Sequence, residues 1–372
     1  MSLPGKGIGQ HEPGRGSSQH ESGGRGVGCS DHRGGVVVSL SPVEGVALAE
    51  IESDPDAIAP AAKGVVGRSP GQLAWLRLRR DRTAVVSGVL LVFFLLLGLS
   101  APLIEMAYGI GPREQFQKLL DGFGMPLGYA GGVTGDHWFG LEPNLGRDIF
   151  IRLIYGLRTS LFIAFAAALI TATIGIALGA LAGYLGGWLD AVINWITDLT
   201  LAMPFLIIAL ALTPTITLRF YGERGQVSSA FGVGVLIGVF AIFGWTSTAR
   251  LVRGQVIALR EREFVEAAKA SGAGLGHIIF RQLLPNIWAP ILVSFSLAVP
   301  QFITSEAALS FIGVGLSDET PSFGRMIYDS LDFLQTDPAY VFFPGITIFA
   351  LVFAFNLFGD ALRDALDPKS SR

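Results

Sequence analysis

Charged residues are absent from six long windows of the chain: Thr83–Ile104, Thr159–Leu189, Leu199–Leu218, Gly225–Ala249, Gln282–Ser305 and Pro338–Gly359. Each reaches the roughly 20 residues that an apolar helix needs to cross a bilayer. Helices buried in a large soluble core rarely run so far without a charge. Lipid offers no partner for a free backbone N–H or C=O, so spanning segments close their hydrogen bonds internally, as helices do. The pattern predicts an all-α membrane protein with six transmembrane helices.

The first 70 residues break the pattern. They hold no Phe, Tyr or Trp and are crowded with Gly, Ser, Pro, His and charged side chains. Such a stretch buries too little apolar surface to offset its ordering entropy, so 1–70 is expected to be a disordered cytoplasmic tail. No apolar run of the kind a signal peptide carries opens it. His11, His20, His32 and Cys29 read as scattered tail residues, not a metal site. Residues 71–158 then supply the first transmembrane helix and a long extracytoplasmic loop. Residues 159–372 form a core with five more helices and a cytoplasmic loop at about 258–285.

Composition narrows the class. Of 372 residues, 51% are apolar and 15% charged, against roughly 25% charged in an ordinary soluble domain. A net charge of −3 offers no basic field for nucleic acid. The single cysteine forms no internal disulfide. Orientation follows from Lys and Arg near the span ends. Arg77, Arg79, Arg80 and Arg82 precede the first span. The loop 250–281 carries Arg250, Arg253, Arg260, Arg262, Lys269 and Arg281, and the C-terminal tail Arg363, Lys369 and Arg372. In 306–337, Arg325 stands alone against Glu306, Asp318, Glu319, Asp329, Asp332 and Asp337. Both termini and the 250–281 loop are expected in the cytoplasm, with Ser271 and Ser322 on opposite sides of the membrane.

That cytoplasmic loop carries the clearest local design. Up to Ser271 its residues favour a helix, and at 100° per residue Phe264, Ala267, Ala268 and Ser271 share one narrow face of small side chains. Arg262, Glu263, Glu266 and Lys269 occupy the other side, where Arg262–Glu266 and Glu266–Lys269 have the spacing of intrahelical pairs. Gly272, Gly274 and Gly276 then interrupt the helix, and glycine tolerates the φ values of a sharp reversal. A second short apolar helix, 278–284, leads to Pro285. The product is a compact knob whose small-residue face admits another protein's backbone. An amphipathic segment lying on the membrane surface fits the same pattern.

Glu266-Ala267-Ala268, three residues, Gly272, then Leu284-Pro285 resembles the EAA loop of ABC importer permeases, with Gln282 where that family usually carries an apolar residue. Three further stretches are similar to the C-type subunit of dipeptide, oligopeptide and nickel importers: 144–161, 308–324 and 356–369. The likeness covers about 70–369. It implies a type I ABC importer permease in a bacterial inner or plasma membrane. It also implies partners: a homologous B-type permease, two ATP-binding subunits or one fused one, and an extracytoplasmic solute-binding protein. In that family the loop docks on the ATP-binding subunit, which gives Phe264, Glu266, Ala267, Ala268, Ser271, Gly272, Leu284 and Pro285 a coupling role. The expected cargo is a peptide, with nickel or another small solute as the alternative. ATP and magnesium would sit on partner subunits.

The residues agree that energy comes from elsewhere. No Gly-x-x-x-x-Gly-Lys-[Ser/Thr] phosphate loop occurs, Gly5-Lys6 lacking both the upstream glycine and the hydroxyl residue. No span holds a histidine, His-Glu-x-x-His is missing, and the Gly-x-Ser-x-Gly at Gly67–Gly71 lies outside every span. A secondary transporter would keep ionisable groups in its spans, and the only candidate is Asp198, on the third span just before its charge-free window, Glu306 and Asp360 standing at span ends. The chain therefore reads as a transport subunit without catalytic residues or a cofactor of its own. Its partners include membrane lipid and exclude nucleic acid. A peptide passes best through a wide cavity of weakly polar groups, which marks Asp198 and Met203 on the third span and Ser294, Gln301, Thr304 and Ser305 on the fifth as candidate lining. Gly175, Gly179 and Gly183 recur every four residues in the second span, a spacing suited to close helix contact.

Overall fold

The computed structural model describes residues 70–222 and 228–367; the expected tail, with His11, His20, His32 and Cys29, lies outside the described residues except for Pro70. Twelve helices follow one another among the described residues. They are α1 (Pro70–Arg80), α2 (Arg82–Leu99), α3 (Ala101–Tyr108), α4 (Ile149–Leu185), α5 (Gly187–Ala202), α6 (Phe205–Tyr221), α7 (Ser229–Arg260), α8 (Glu263–Ala270), α9 (Leu275–His277), α10 (Trp288–Phe311), α11 (Phe323–Ser330) and α12 (Pro338–Leu366). No strand forms among these residues, only two isolated bridges. Five helices, α2, α4, α7, α10 and α12, are each long and apolar enough to span a membrane.

The third predicted span is the exception. Leu199–Leu218 is not one helix but the junction of α5 and α6, bent by 89°. Met203 is extended (φ −81°, ψ 131°) ahead of Pro204. Proline disfavours helical backbone at the residue before it, and it has no N–H to continue the ladder. The two pieces still progress together along α7. Asp190 of α5 pairs with Arg253, while Phe205 of α6 meets Phe240 and Phe243, and Tyr221 meets Phe231. Counted as one bent crossing, the pair completes six.

The first two spans also differ from their windows. α2 stops at Leu99, and a break at Ser100, with Pro102 in the first turn of α3, redirects the chain. α4 begins ten residues earlier than Thr159 and runs 37 residues, about 55 Å. Asp148 caps it by accepting from the Ile151 N–H at 3.0 Å. The extra turns carry Arg152, which is wholly buried and faces Glu142 at 3.5 Å.

Contacts order the bundle's two ends. Arg77 donates to the Asp367 carbonyl at 2.8 Å, and Arg260 to the Gly183 carbonyl at 3.1 Å. These join α1 to the end of α12 and the end of α7 to that of α4, at one end, here the basal end. Ser160 reaches Glu306, and Phe139 stacks on Phe343, at the other, the distal end. α4 and α7 run parallel and form the most extensive helix pair. Gly175 faces Trp245 and Thr248, Gly179 faces Ala249 and Val252, and Gly183 faces Arg253 and Val256. The glycine repeat is a packing seam.

The loop 109–148 is tied down at the distal end. Arg147 donates to both Glu142 oxygens (2.6 and 2.7 Å) and to the Asp318 carbonyl at 3.0 Å, while the Tyr340 hydroxyl donates to Glu142. Burial works to raise the Glu142 carboxyl, but Arg147, Arg152 and Tyr340 together hold it below its ordinary 4.5. A depressed carboxyl stabilises the fold above its ordinary value and loses that contribution only as the pH falls below it. The anchor is therefore intact at neutral pH.

Candidate functional site

The segment between α7 and α10 folds as a knob on the basal end. Arg262 leaves the helical region (φ −81°, ψ 147°) and caps α8, its carbonyl accepting from the Val265 and Glu266 N–H groups. α8 ends in a Schellman turn. Ala273 N–H donates to the Ala268 carbonyl at 3.0 Å, Gly272 N–H to the Lys269 carbonyl at 2.9 Å, and Gly272 has φ +81°. Left-handed backbone at this position is what glycine supplies without strain. The chain then re-enters through α9, a wider π-type turn over Ile278–Leu283 and a 3-10 turn over Leu284–Asn286.

One side chain roots α8. Val265 is 0% exposed and packs with Ile278, Ile279, Leu283 and Ile287 against Val252, Val256 and Ala180. Leu284 packs against the same cluster. Lys269 lies over the Tyr184 ring at 5.4 Å, tethering the knob to the end of α4. Phe264 is 38% exposed, Ala267, Ser271, Gly272 and Pro285 are exposed, and Ala268 is half-buried. Most of the small-residue face is therefore exposed, as is Phe280 of the re-entry turn, at 71%. Glu266 is exposed too, and neither Arg262–Glu266 nor Glu266–Lys269 closes as an ion pair. With the exposed carboxylate in no ion pair among the described residues, the charged side of α8 is left open.

The candidate pathway residues do not come together. Asp198 on α5 is held by Arg250 at 2.6 Å and Met203 lies exposed at the bend just after it, and α5 makes no substantial contact with α10. On α10, Gln301 and Thr304 are exposed and Ser294 and Ser305 half-buried. Thr304 borders a cleft of about 340 Å³ with Val352 and Asn356 of α12. A second ion pair on α5, Asp190 with Arg253 at 2.5 and 2.7 Å, was not foreseen from the sequence. Together the two pairs clamp α5 to the basal third of α7.

Glu306 is also placed differently from a charge at a span end. It is fully buried, accepting from Ser160 at 2.7 Å and Ser310 at 2.8 Å, with no basic group in ion-pair range among the described residues. It joins α4 to α10 at the distal end. Glu306→Ala strands two buried hydroxyls and should cost about 1–3 kcal/mol, whereas Glu306→Gln keeps an acceptor and should cost less. Thermal melting of the purified variants checks the order.

A family model described as binding-protein-dependent transport system inner membrane component matches residues 175–372. That stretch is more than half of the chain and contains the knob. The chain belongs to this family. A second model, the N-terminal TM domain of oligopeptide transport permease C, matches residues 69–117. The dipeptide transport system permease protein DppC of Alkalihalophilus pseudofirmus is 38% identical over 303 residues, covering 81% of this chain and 90% of its own length. The oligopeptide permease OppC of Bacillus subtilis is 36% identical over 298 residues (80% and 88%). The glutathione permease GsiD of Pectobacterium atrosepticum is 33% identical over 302 residues (81% and 92%). The methionine ABC transporter MetNI, in an inward-facing conformation, superposes at a TM-score of 0.44 with 19% identity over 58% of this chain and 96% of that one. This protein is thus a multi-pass membrane component of a binding-protein-dependent transport system.

Proposed function

We propose that this permease is one half of the translocation pathway of an ATP-driven importer of peptides. The observation that carries the reading is the knob: a face of Phe264, Ala267 and Ser271 left free above a rigid root at Val265. A short helix fixed at its base and bare on its outer face transmits a push from a docked partner. The partner is an ATP-binding subunit, which brings ATP and magnesium, since this chain carries no phosphate loop. Glu266 and the exposed end of the knob, Gly272 and Pro285, rim the contact, and Leu284 secures it from below. A homologous B-type permease supplies the other half of the pathway and a solute-binding protein delivers the cargo. Peptides are favoured because the relatives are dipeptide, oligopeptide and glutathione permeases, and because no span offers the soft His or Cys ligands a metal would use.

The basal end then faces the cytoplasm, and with it both termini and the tail 1–70. Ser322 is fully buried, where its hydroxyl caps α11, so a cysteine there makes a poor probe of sidedness. Exposed Gln335 serves at the distal end and exposed Ser271 at the basal end. In a Cys29→Ser background, Gln335→Cys should react with an impermeant thiol reagent from outside, and Ser271→Cys only after the membrane is opened. The reverse pattern overturns the orientation.

Docking is tested separately. Ala267→Cys should cross-link to the ATP-binding subunit in the assembled complex, in a yield that changes with nucleotide. Absence of any cross-link in a complex that transports overturns the coupling role. Uptake of a labelled dipeptide that nickel fails to compete for supports peptide as cargo, and uptake of nickel alone favours the alternative.

A further inference from the structure

We propose that the groove between α1, α2, α10 and α12 is a binding site for one anionic phospholipid, with an acyl chain in the groove and the headgroup on Arg79. The groove holds about 630 Å³. Its walls include Val85 and Val89 of α2, Phe295 of α10 and Phe358 of α12, and its basal mouth is formed by Trp75 and Arg79 of α1. Apart from the Trp75 indole, Arg79 and Ser296, every lining side chain is hydrocarbon. The Ser296 hydroxyl is already spent on the Val293 carbonyl at 2.9 Å. The interior therefore offers a ligand no polar contact, and polarity is confined to the mouth.

Its depth is informative. Along α2 the lining extends from Ala84 to Leu95, a rise of about 16 Å. That is half of the roughly 30 Å hydrocarbon core, the reach of an acyl chain in one leaflet. The mouth has the chemistry of a membrane interface, where Trp is enriched and Arg stems lie along apolar surface with the head in the polar layer. Trp75 is 60% exposed, and Arg79 makes no ion pair among the described residues. α1 is fixed there by Arg77, which donates to the Asp367 carbonyl.

Charge selects the headgroup. Arg79, Arg80 and Arg82 follow within about one turn of α1 and the start of α2. The intervening Asp81 turns its carboxylate back to cap α2, accepting from the Thr83 N–H at 2.8 Å. Basic pockets between helices at an interface are the common form of anionic headgroup sites. A zwitterionic headgroup would set its own ammonium against the same arginines. The inference requires only that the chain spans a membrane and is independent of the coupling reading.

The test is native mass spectrometry of the assembled transporter titrated with phosphatidylglycerol or phosphatidylcholine of matched chains. Phosphatidylglycerol should be retained at least about five-fold better, the factor expected for one basic residue near an anionic surface. Arg79→Gln should abolish that preference. Val89→Trp, at a position 65% exposed and tolerant of bulk, should fill the groove and lower retention of both lipids. Equal retention of the two lipids, or a preference unchanged by Arg79→Gln, overturns the site. So does a Val89→Cys variant, in the Cys29→Ser background, that cross-links to the second permease, because a protein helix would then fill the groove.

Discussion

Gly179→Val should remove most of the assembled protein from the membrane, the largest effect expected of any single change in the bundle. A Cβ on Gly179 would overlap the Ala249 carbonyl oxygen and stand 3.0 Å from Ala249 Cα and Val252 Cβ. Two of those atoms are backbone of α7, and they withdraw only if the helix does. α4 and α7 share the most extensive contact in the molecule, so separating them loosens the core around which the other spans pack. Overpacking costs about 1–3 kcal/mol where side chains can yield, and here they cannot. Alanine already carries the offending Cβ. Gly179→Ala should therefore destabilise despite alanine's advantage of roughly 0.5–1 kcal/mol over glycine in a helix. Gly238, in the interior of α7, has nothing within 4 Å of its Cβ position, and Gly238→Ala should be neutral or slightly stabilising. Fluorescence-detected size-exclusion and melting of the three variants test the series. A stable, monodisperse Gly179→Val protein would mean that the α4–α7 seam is not closed in the membrane.

That seam was legible because glycine spacing has a direct steric meaning, and the spans were legible because charges bounded them. Where a charge is neutralised in space the rule misplaces the boundary. Arg158 closed a window on paper, but α4 continues through it, and Arg152 on the added turns is paired with Glu142. The break at Met203–Pro204 was written in the dipeptide itself, yet averaged hydropathy passes over a proline flanked by leucines and alanines. At the knob, residue type fixed the turn: Gly272 is left-handed, as the glycine cluster implied. The helical wheel was less informative about facing. It separated small residues from charged ones, but Val265, the residue that roots α8, was in neither group. Its partners lie on α7 and the re-entry turns, and no periodicity within eight residues reveals which edge meets them. The same limit hid the two aspartate–arginine clamps on α5, since each joins residues more than fifty positions apart. Asp198 stood out as a charge at the edge of an apolar window, but its partner did not.

Gly272→Val should abolish transport while leaving the protein in the membrane at its normal level. The residue sits at φ +81°, and nothing lies within 4 Å of where a Cβ would be. Any effect is then conformational, not a clash. An L-residue pays about 1–2 kcal/mol to hold left-handed helical backbone, and a β-branched one stands at the high end. Relief comes from opening the Schellman turn, which releases the Ala273–Ala268 and Gly272–Lys269 bonds and lets α8 drift from the re-entry turns. Val265 and its cluster still hold the base, so the bundle survives. What is lost is the fixed angle at which Phe264, Ala267 and Ser271 are presented. A graded series separates this from simple damage: Gly272→Asn should be nearly normal, because asparagine tolerates left-handed backbone, Gly272→Ala intermediate, and Gly272→Val lowest. Peptide uptake and transport-stimulated ATP hydrolysis in the reconstituted complex should both fall by at least about ten-fold for valine, the equivalent of roughly 1.4 kcal/mol of lost coupling. Full uptake by Gly272→Val at matched membrane levels would show that the knob's angle does not matter to transport, and the coupling role would go with it.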